Sequence, residues 1–574
     1  CRDWFQLCLK EGLTVFRDSE FTSHMRSAPV KRVSDVIDLR TRQFPEDNGP
    51  LAHPVRPKSF QEISNFYTAT VYEKGAEVIG MLKRLVGDDA YARALDLYFA
   101  RHDGQACTVE DWLKVFEDTT DRNLTQFKGW YSQAGTPRLT VTETWYPAEA
   151  PGQTRGAAAD AAHHQPLPQG SQMGTYILTF AQTTKPGTTA PNSPPRVLPI
   201  AVGLLNTDGT EVVPTTVLEM TEATQSFAFY GLATKPVPSI LRGFSAPVIL
   251  DRTSLIGDGA FLLAHDTDPF NRWEAGRSMA LASLMAMATD GTGPDQAYLD
   301  GMATVLRDDG LDPAYRALML NLPSQSELAD ALHEHGITPD PDAIWTVRKS
   351  MARALAQRCQ DITPRIFAEM QVTEAYQPDA VQSGKRALAG AVLGLISRTD
   401  GGVQAAKQYE EADNMTLQLS ALTCLLQTGT GSDQLAAFYT QWQHDRLVID
   451  KWFALQTGMA APGAAVRIAN ALTKHTDFNW KNPNRFRAIV GGLAMNHAGF
   501  HAQDGSGYRF VADWLIRLDP FNQQTTARMC TPFQTWRRYD KARQALIAAE
   551  LDRIAATPDL SRDTTEMITR IRIA

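Results

Sequence analysis

Cys1-Arg2-Asp3-Trp4-Phe5-Gln6-Leu7-Cys8-Leu9-Lys10-Glu11-Gly12-Leu13-Thr14-Val15-Phe16-Arg17-Asp18 opens the chain and sets a carboxylate into an apolar helical pattern. Trp4, Cys8 and Glu11 stand at i, i+4 and i+7, so the spacing predicts one helix face, which Leu7 also meets. Phe5, Leu9, Leu13 and Phe16 thicken the apolar surround. A carboxylate in such a place costs free energy unless a cation or a donor compensates it. On spacing alone Glu11 reads as a salt-bridged or partly exposed glutamate, and a functional charge is the other reading.

Outward from this stretch the helical texture continues to about residue 135. Val71 to Val86 carries Ala76, Ile79, Leu82 and Leu85 at helical spacing, and Gly87 closes it. Asp88 and Asp89 open a second helix, and Asp111-Trp112-Leu113-Lys114-Val115-Phe116 begins a third. Pro50, Pro54 and Pro57 mark an irregular connector before Tyr72. At Pro137 the pattern changes to alternation: Leu139 and Val141, then Tyr176, Leu178 and Phe180, then Ile200, Val202 and Leu204. Asn206-Thr207-Asp208-Gly209 reads as a turn between strands. Residues 137–246 are therefore expected to form a small β-sandwich, with Pro147 to Gly174 as a long exposed loop. From 247 to 574 the pattern is helical again, as in Trp273, Ala280, Leu284 and Met287. Recurrent breaks at Gly310-Leu311-Asp312-Pro313, Thr338-Pro339-Asp340-Pro341, Asn482-Pro483-Asn484 and Asp504-Gly505-Ser506-Gly507 suggest a curved array of short-linked helices. The expected organisation is multidomain and mainly α: 1–136 helical, 137–246 β-sandwich, 247–574 helical.

A chain of 574 residues exceeds what one hydrophobic core can organise. Hydrophobic residues at 43% and charged residues at 21% are globular values, which excludes a disordered chain. The net charge of −8 argues against nucleic acid as a partner, and no apolar run reaches bilayer length. The six cysteines are scattered without a C-x-x-C pair, which points to a reducing compartment and a cytoplasmic location. Several motifs fail on inspection. His497-Ala498-Gly499-Phe500-His501 has zinc-like spacing, but alanine stands where a base glutamate belongs. The histidines of His333-Glu334-His335 point apart on a helix, Gly505-Ser506-Gly507 is too short for a nucleophile elbow, and Gly384-Lys385 lacks the upstream glycine of a phosphate loop.

The opening stretch resembles the zinc aminopeptidase N family, bacterial alanyl aminopeptidase type, a gluzincin. Asn65-Phe66-Tyr67-Thr68 and Thr70-Val71-Tyr72-Glu73-Lys74-Gly75-Ala76-Glu77-Val78 carry the resemblance onward. So do Trp130-Tyr131-Ser132-Gln133-Ala134-Gly135-Thr136-Pro137, Asn482-Pro483-Asn484-Arg485 and Asp504-Gly505-Ser506-Gly507-Tyr508. The resemblance implies a truncated thermolysin-like helical catalytic part, a β-sandwich and a large C-terminal α-helical array. It implies that Glu11 is the third ligand of one zinc ion and that Tyr72 donates its phenol hydrogen to the oxyanion. Tyr67 would stand near the pocket for the substrate's first side chain, or simply in the core. Arg487 and Arg528 would contact substrate beyond the scissile bond, or lie on the surface. The family's two histidine ligands and its base glutamate lie upstream of the ligand glutamate, with roughly 18 residues between the second histidine and that glutamate, and only ten residues precede Glu11. They are expected before Cys1, together with the family's Gly-x-Met-Glu-Asn motif and N-terminal β domain, so this chain is expected to be inert alone. The expected function of the intact protein is release of N-terminal residues from peptides by a monomer with no nucleic-acid or membrane partner. The alternatives are a non-catalytic helical scaffold that binds peptides and, more remotely, zinc chemistry on an epoxide.

Overall fold

The computed structural model describes residues 2–49, 52–59, 66–148, 173–184, 193–252 and 257–573. The loop expected over Pro147–Gly174 falls, for 149–172, outside the described residues, as does Pro50 of the connector. Two compact units emerge, Cys1–Gly276 and Arg277–Ala574.

In the first unit Asp3 caps a tight 3₁₀ turn at Trp4–Gln6 by accepting the Phe5 N–H at 2.9 Å, and helix α1 runs from Leu7 to Met25. The tighter turn rotates Trp4 away from the face expected for it. Cys8 and Glu11 are buried, whereas Trp4 is 52% exposed. Helices α2 (Ala28–Asp38) and α3 (Phe44–Asn48) follow, joined by a π-helical turn at Leu39–Gln43. A second π-turn at Thr70–Lys74 runs directly into α4 (Gly75–Val86). Gly87, at φ +82°, ends α4 where an L side chain would be strained. Helix α5 spans Asp88–His102, as the paired aspartates predict. Helix α6 (Val109–Thr120) begins earlier than the expected Asp111, because Thr108 and Asp111 form a reciprocal capping box.

Past a short turn of helix, α7 (Gly129–Ser132), come the strands β1 (Arg138–Tyr146), β2 (Gly174–Thr183), β3 (Leu198–Leu205), β4 (Glu211–Met220), β5 (Thr224–Leu232), β6 (Val237–Ile240) and β7 (Ile249–Asp251). They make two sheets, ordered β5-β2-β1-β7 and β4-β3-β6. Leu139 and Val141 of β1 point inward and pair opposite Gln182 and Phe180, as the alternation predicts. Strand β3 differs: every residue in it is buried, because α4 packs against the same sheet and closes its other face. One apolar core runs continuously from Leu7, Trp112 and Trp130 of the helices to Leu139, Tyr176 and Ile200 of the sheets.

The second unit is helical. Helix Pro269–Thr289, which begins in the first unit and continues into the second, buries Trp273, Ala280, Leu284 and Met287 as the spacing predicts. The breaks read from sequence are helix starts: Asp312, Asp340 and Asn482 accept N–H groups of the following turn, and the proline after each occupies the first helical position. Its C-terminal core gathers Phe438, Phe453, Phe486, Tyr508, Phe533 and Leu551.

Candidate active site

Two glycines bring the two motifs together. Gly12 of α1 and Gly75 at the start of α4 face each other at the point where the helices cross. A Cβ on Gly12 would lie 2.9 Å from the Gly75 carbonyl carbon and 3.1 Å from its Cα. With hydrogen on both sides the backbones approach as side chains would forbid. Glu11 sits immediately before one glycine and Tyr72 one turn before the other, so the close crossing brings the two residues near each other.

Glu11 is 8% exposed, and its Oε1 lies 2.8 Å from the Lys10 ammonium. The Tyr72 phenol lies close enough to this carboxylate to feel its charge. Burial, and then the negative charge of Glu11, push the Tyr72 phenol up to about 12, so it is protonated and a donor near neutrality. The Tyr72 ring packs 6.3 Å from that of Tyr67, which packs 6.5 Å from that of Trp4. Tyr67 is 39% exposed, which removes the core reading for it. Cys8, one turn before Glu11, has its thiol pushed up to about 12 by burial and stays protonated.

Among the described residues no group of three or more histidine, cysteine or carboxylate side chains is placed to hold a metal ion. Glu11 fits a metal as one oxygen ligand: it is nearly dry, and its partners are an exposed ammonium and a phenol. His497 and His501 do not complete such a set. Their rings are buried in the second unit, with His497 Nε2 2.9 Å from the Tyr539 hydroxyl and His501 Nδ1 2.9 Å from that of Tyr508.

Arg487 and Arg528 also belong to the second unit, and both are exposed. Arg487 opens a third π-turn, Arg487–Gly491, and Nη1 lies 3.4 Å from Asn484 Oδ1. Arg528 lies in the last turn of the helix Gln523–Met529. A Cβ on Gly491 would lie 3.5 Å from Met529 Cε, so the elements carrying the two arginines are neighbours.

Sequence reasoning missed the polar residues behind Tyr72: Gln43, Asp47 and Glu77 are buried and Glu46 is partly so. Arg32 grips Glu77 of α4 with two bonds of 2.6 and 2.7 Å and donates to the Gly243 and Phe244 carbonyls at 2.9 Å. This fixes α4 against α2 and the corner of the sandwich.

Family models match three stretches: "Peptidase family M1 domain" over residues 1–131, "Domain of unknown function (DUF3458) Ig-like fold" over 170–253 and "Domain of unknown function (DUF3458_C) ARM repeats" over 257–572. Aminopeptidase N of Caulobacter vibrioides is 41% identical over 99% of this chain and 64% of the relative. Aminopeptidase N of Escherichia coli K12 is 36% identical over the same shares. The chain thus spans about 64% of the length of these relatives. The crystal structure of Legionella pneumophila aminopeptidase A in complex with aspartic acid matches all of this chain and 63% of that one, with TM-score 0.82 and 27% identity. With its peptidase M1 segment, Ig-like sandwich and ARM-repeat helices in this order, the chain belongs to the aminopeptidase N family.

Proposed function

We propose that this chain is part of a zinc-dependent aminopeptidase that releases N-terminal residues from peptides. The observation that carries the reading is the glycine–glycine crossing of Gly12 and Gly75, which brings Glu11 and Tyr72 of two separate motifs near enough for the carboxylate to act on the phenol. Glu11 would supply one ligand, and the remaining ligands and the general base would come from residues upstream of Cys1. A zinc ion bound there would polarise the scissile carbonyl and activate water. Tyr72, protonated near neutrality, would hold its hydroxyl hydrogen toward the developing oxyanion, a contribution of about 3 kcal/mol. Tyr67, half-exposed against Tyr72, would line the pocket for the first side chain. Arg487 and Arg528, both exposed, would hold the peptide beyond the scissile bond.

We further propose that the chain is built as modules 1–136, 137–246 and 247–574, works as a monomer in the cytoplasm, and has no nucleic-acid partner. Among the described residues no helix is long and apolar enough to cross a membrane.

The test uses the full-length protein. Glu11→Gln is expected to lose bound zinc, read by atomic absorption. Tyr72→Phe is expected to keep zinc, with kcat on alanyl p-nitroanilide falling about 100-fold. Full zinc in the first variant, or full rate in the second, would refute the assignment. Peptide binding indifferent to both changes would favour a scaffold.

A further inference from the structure

The segment between the two motifs grips the Tyr72 turn at both ends. Glu46 and Asp47 are neighbours on α3, and each reaches a different end of the π-turn Thr70–Lys74. Glu46 Oε1 accepts the Thr70 N–H at 2.8 Å and the Thr70 hydroxyl at 2.5 Å. Gln43 Nε2 donates to the same hydroxyl at 3.3 Å. Asp47 Oδ2 pairs with Lys74 Nζ at 2.5 Å, and neither side chain is more than 1% exposed. The remaining bonds of this pair hold the Gly135-Thr136 connector. Asp47 accepts the Gly135 N–H at 2.7 Å and the Thr136 hydroxyl at 3.0 Å, and Lys74 donates to the Gly135 carbonyl at 3.2 Å. Tyr72 lies midway between the two anchored residues, and its own N–H reaches the Thr68 carbonyl at 3.2 Å.

A buried ion pair is a poor source of stability, since desolvation offsets its attraction and apolar replacements of equal size often serve as well. What it does supply is position. A π-turn is rare in helices and recurs at functional sites. Here that turn is held by side-chain bonds at its first and last residues. We propose that Glu46 and Asp47 are positioning residues for Tyr72, clamping the turn at Thr70 and Lys74 so that the phenol stays beside Glu11. The inference rests on the reading that Tyr72 assists the reaction.

The test uses full-length protein carrying Glu46→Gln, or Asp47→Leu with Lys74→Met, each with Tyr72 present and in a Tyr72→Phe background. The paired change removes both charges, so no charge is left buried alone, and Glu46→Gln decides the matter if the pair does not fold. With Tyr72 present, kcat on alanyl p-nitroanilide is expected to fall about tenfold or more with KM unchanged. In the Tyr72→Phe background no further loss is expected. Losses of equal size in both backgrounds, or no loss in either, overturn the clamp. If Tyr72→Phe itself keeps the full rate, the reading of Tyr72 fails. Crystal structures of the metal-free variants then decide the clamp: a Tyr72 side chain still placed beside Glu11 as in the unaltered protein overturns it, and a displaced one upholds it.

Discussion

Replacing Gly12 by alanine tests the crossing on which the candidate site depends. The new Cβ would lie 2.9 Å from the carbonyl carbon of Gly75 and 3.1 Å from its Cα and oxygen. All three are backbone atoms, so no rotamer change relieves the contact. Ordinary carbon contacts lie at roughly 3.5–4.0 Å, so α1 and α4 would have to part by about 0.6 Å or more. Overpacking of this kind costs about 1–3 kcal/mol. Alanine also gains about 1 kcal/mol over glycine in a helix interior, which masks part of that cost. Gly80→Ala in α4 supplies the comparison. Its Cβ would meet the movable Arg84 Nη1 at 3.2 Å and the Phe16 ring at 3.6 Å, so the propensity gain dominates there. The two substitutions are chemically the same, so their difference isolates the crossing: Gly12→Ala should be less stable than Gly80→Ala by about 1–3 kcal/mol. Urea unfolding compares the variants, and amide exchange on peptides 7–25 and 70–86 locates the loss. Equal stabilities would refute the argument that hydrogen on both glycines brings Glu11 and Tyr72 near each other.

Three other outcomes are expected. Burial, and then the Arg543 and Arg348 guanidiniums, hold His497 down at about 4 from an ordinary 6.5, and His501 is held well below its ordinary value too. The folded unit therefore binds fewer protons than the unfolded chain. The stability these histidines contribute is complete above pH 6.5 and is lost as pH falls toward 4, by up to about 3 kcal/mol for His497, and His497→Gln should flatten urea midpoints over that window. Asp519 accepts from the Ser561 N–H at 2.8 Å, the Ser561 hydroxyl at 2.6 Å and the Thr564 hydroxyl at 2.5 Å, all buried. Asp519→Ala strands these donors and should cost about 3 kcal/mol, with exchange rising first in Arg562–Ile573. Cys8, Cys107, Cys359, Cys424 and Cys530 are free and buried, so iodoacetamide should leave them unmodified in native protein and label them in urea, as mass spectrometry would read.

The elements with a clear period or a cap were legible in the sequence. Gly87, Asp88 and the Asn206–Gly209 turn fell where local backbone chemistry puts them. The alternation in β1 gave its buried face, because only one side of it meets the core. In β3 the same alternation misleads, since a helix from elsewhere in the chain covers its second face. Glu11 and Tyr72 stood out through their motifs. Glu46 and Asp47 did not, because carboxylates are ordinarily exposed and their burial here depends on partners more than twenty residues away. His497 and His501 are excluded as metal ligands in the sequence because Ala498 stands where a base glutamate belongs, and the structure gives each ring a tyrosine hydroxyl neighbour instead.

The short strand β7 carries a further consequence. It lies parallel to β1, with Arg138 opposite Ile249, and the Ile249 N–H donates to the Pro137 carbonyl at 2.9 Å. The chain therefore enters and leaves the sandwich at one doorway. Everything between behaves as a side trip whose two ends are stapled together, so changes of length inside it do not alter the span between the helices before and after. A lineage can lengthen or shorten the loops of such a module, away from the face that α4 covers, while the Gly12–Gly75 crossing keeps its geometry.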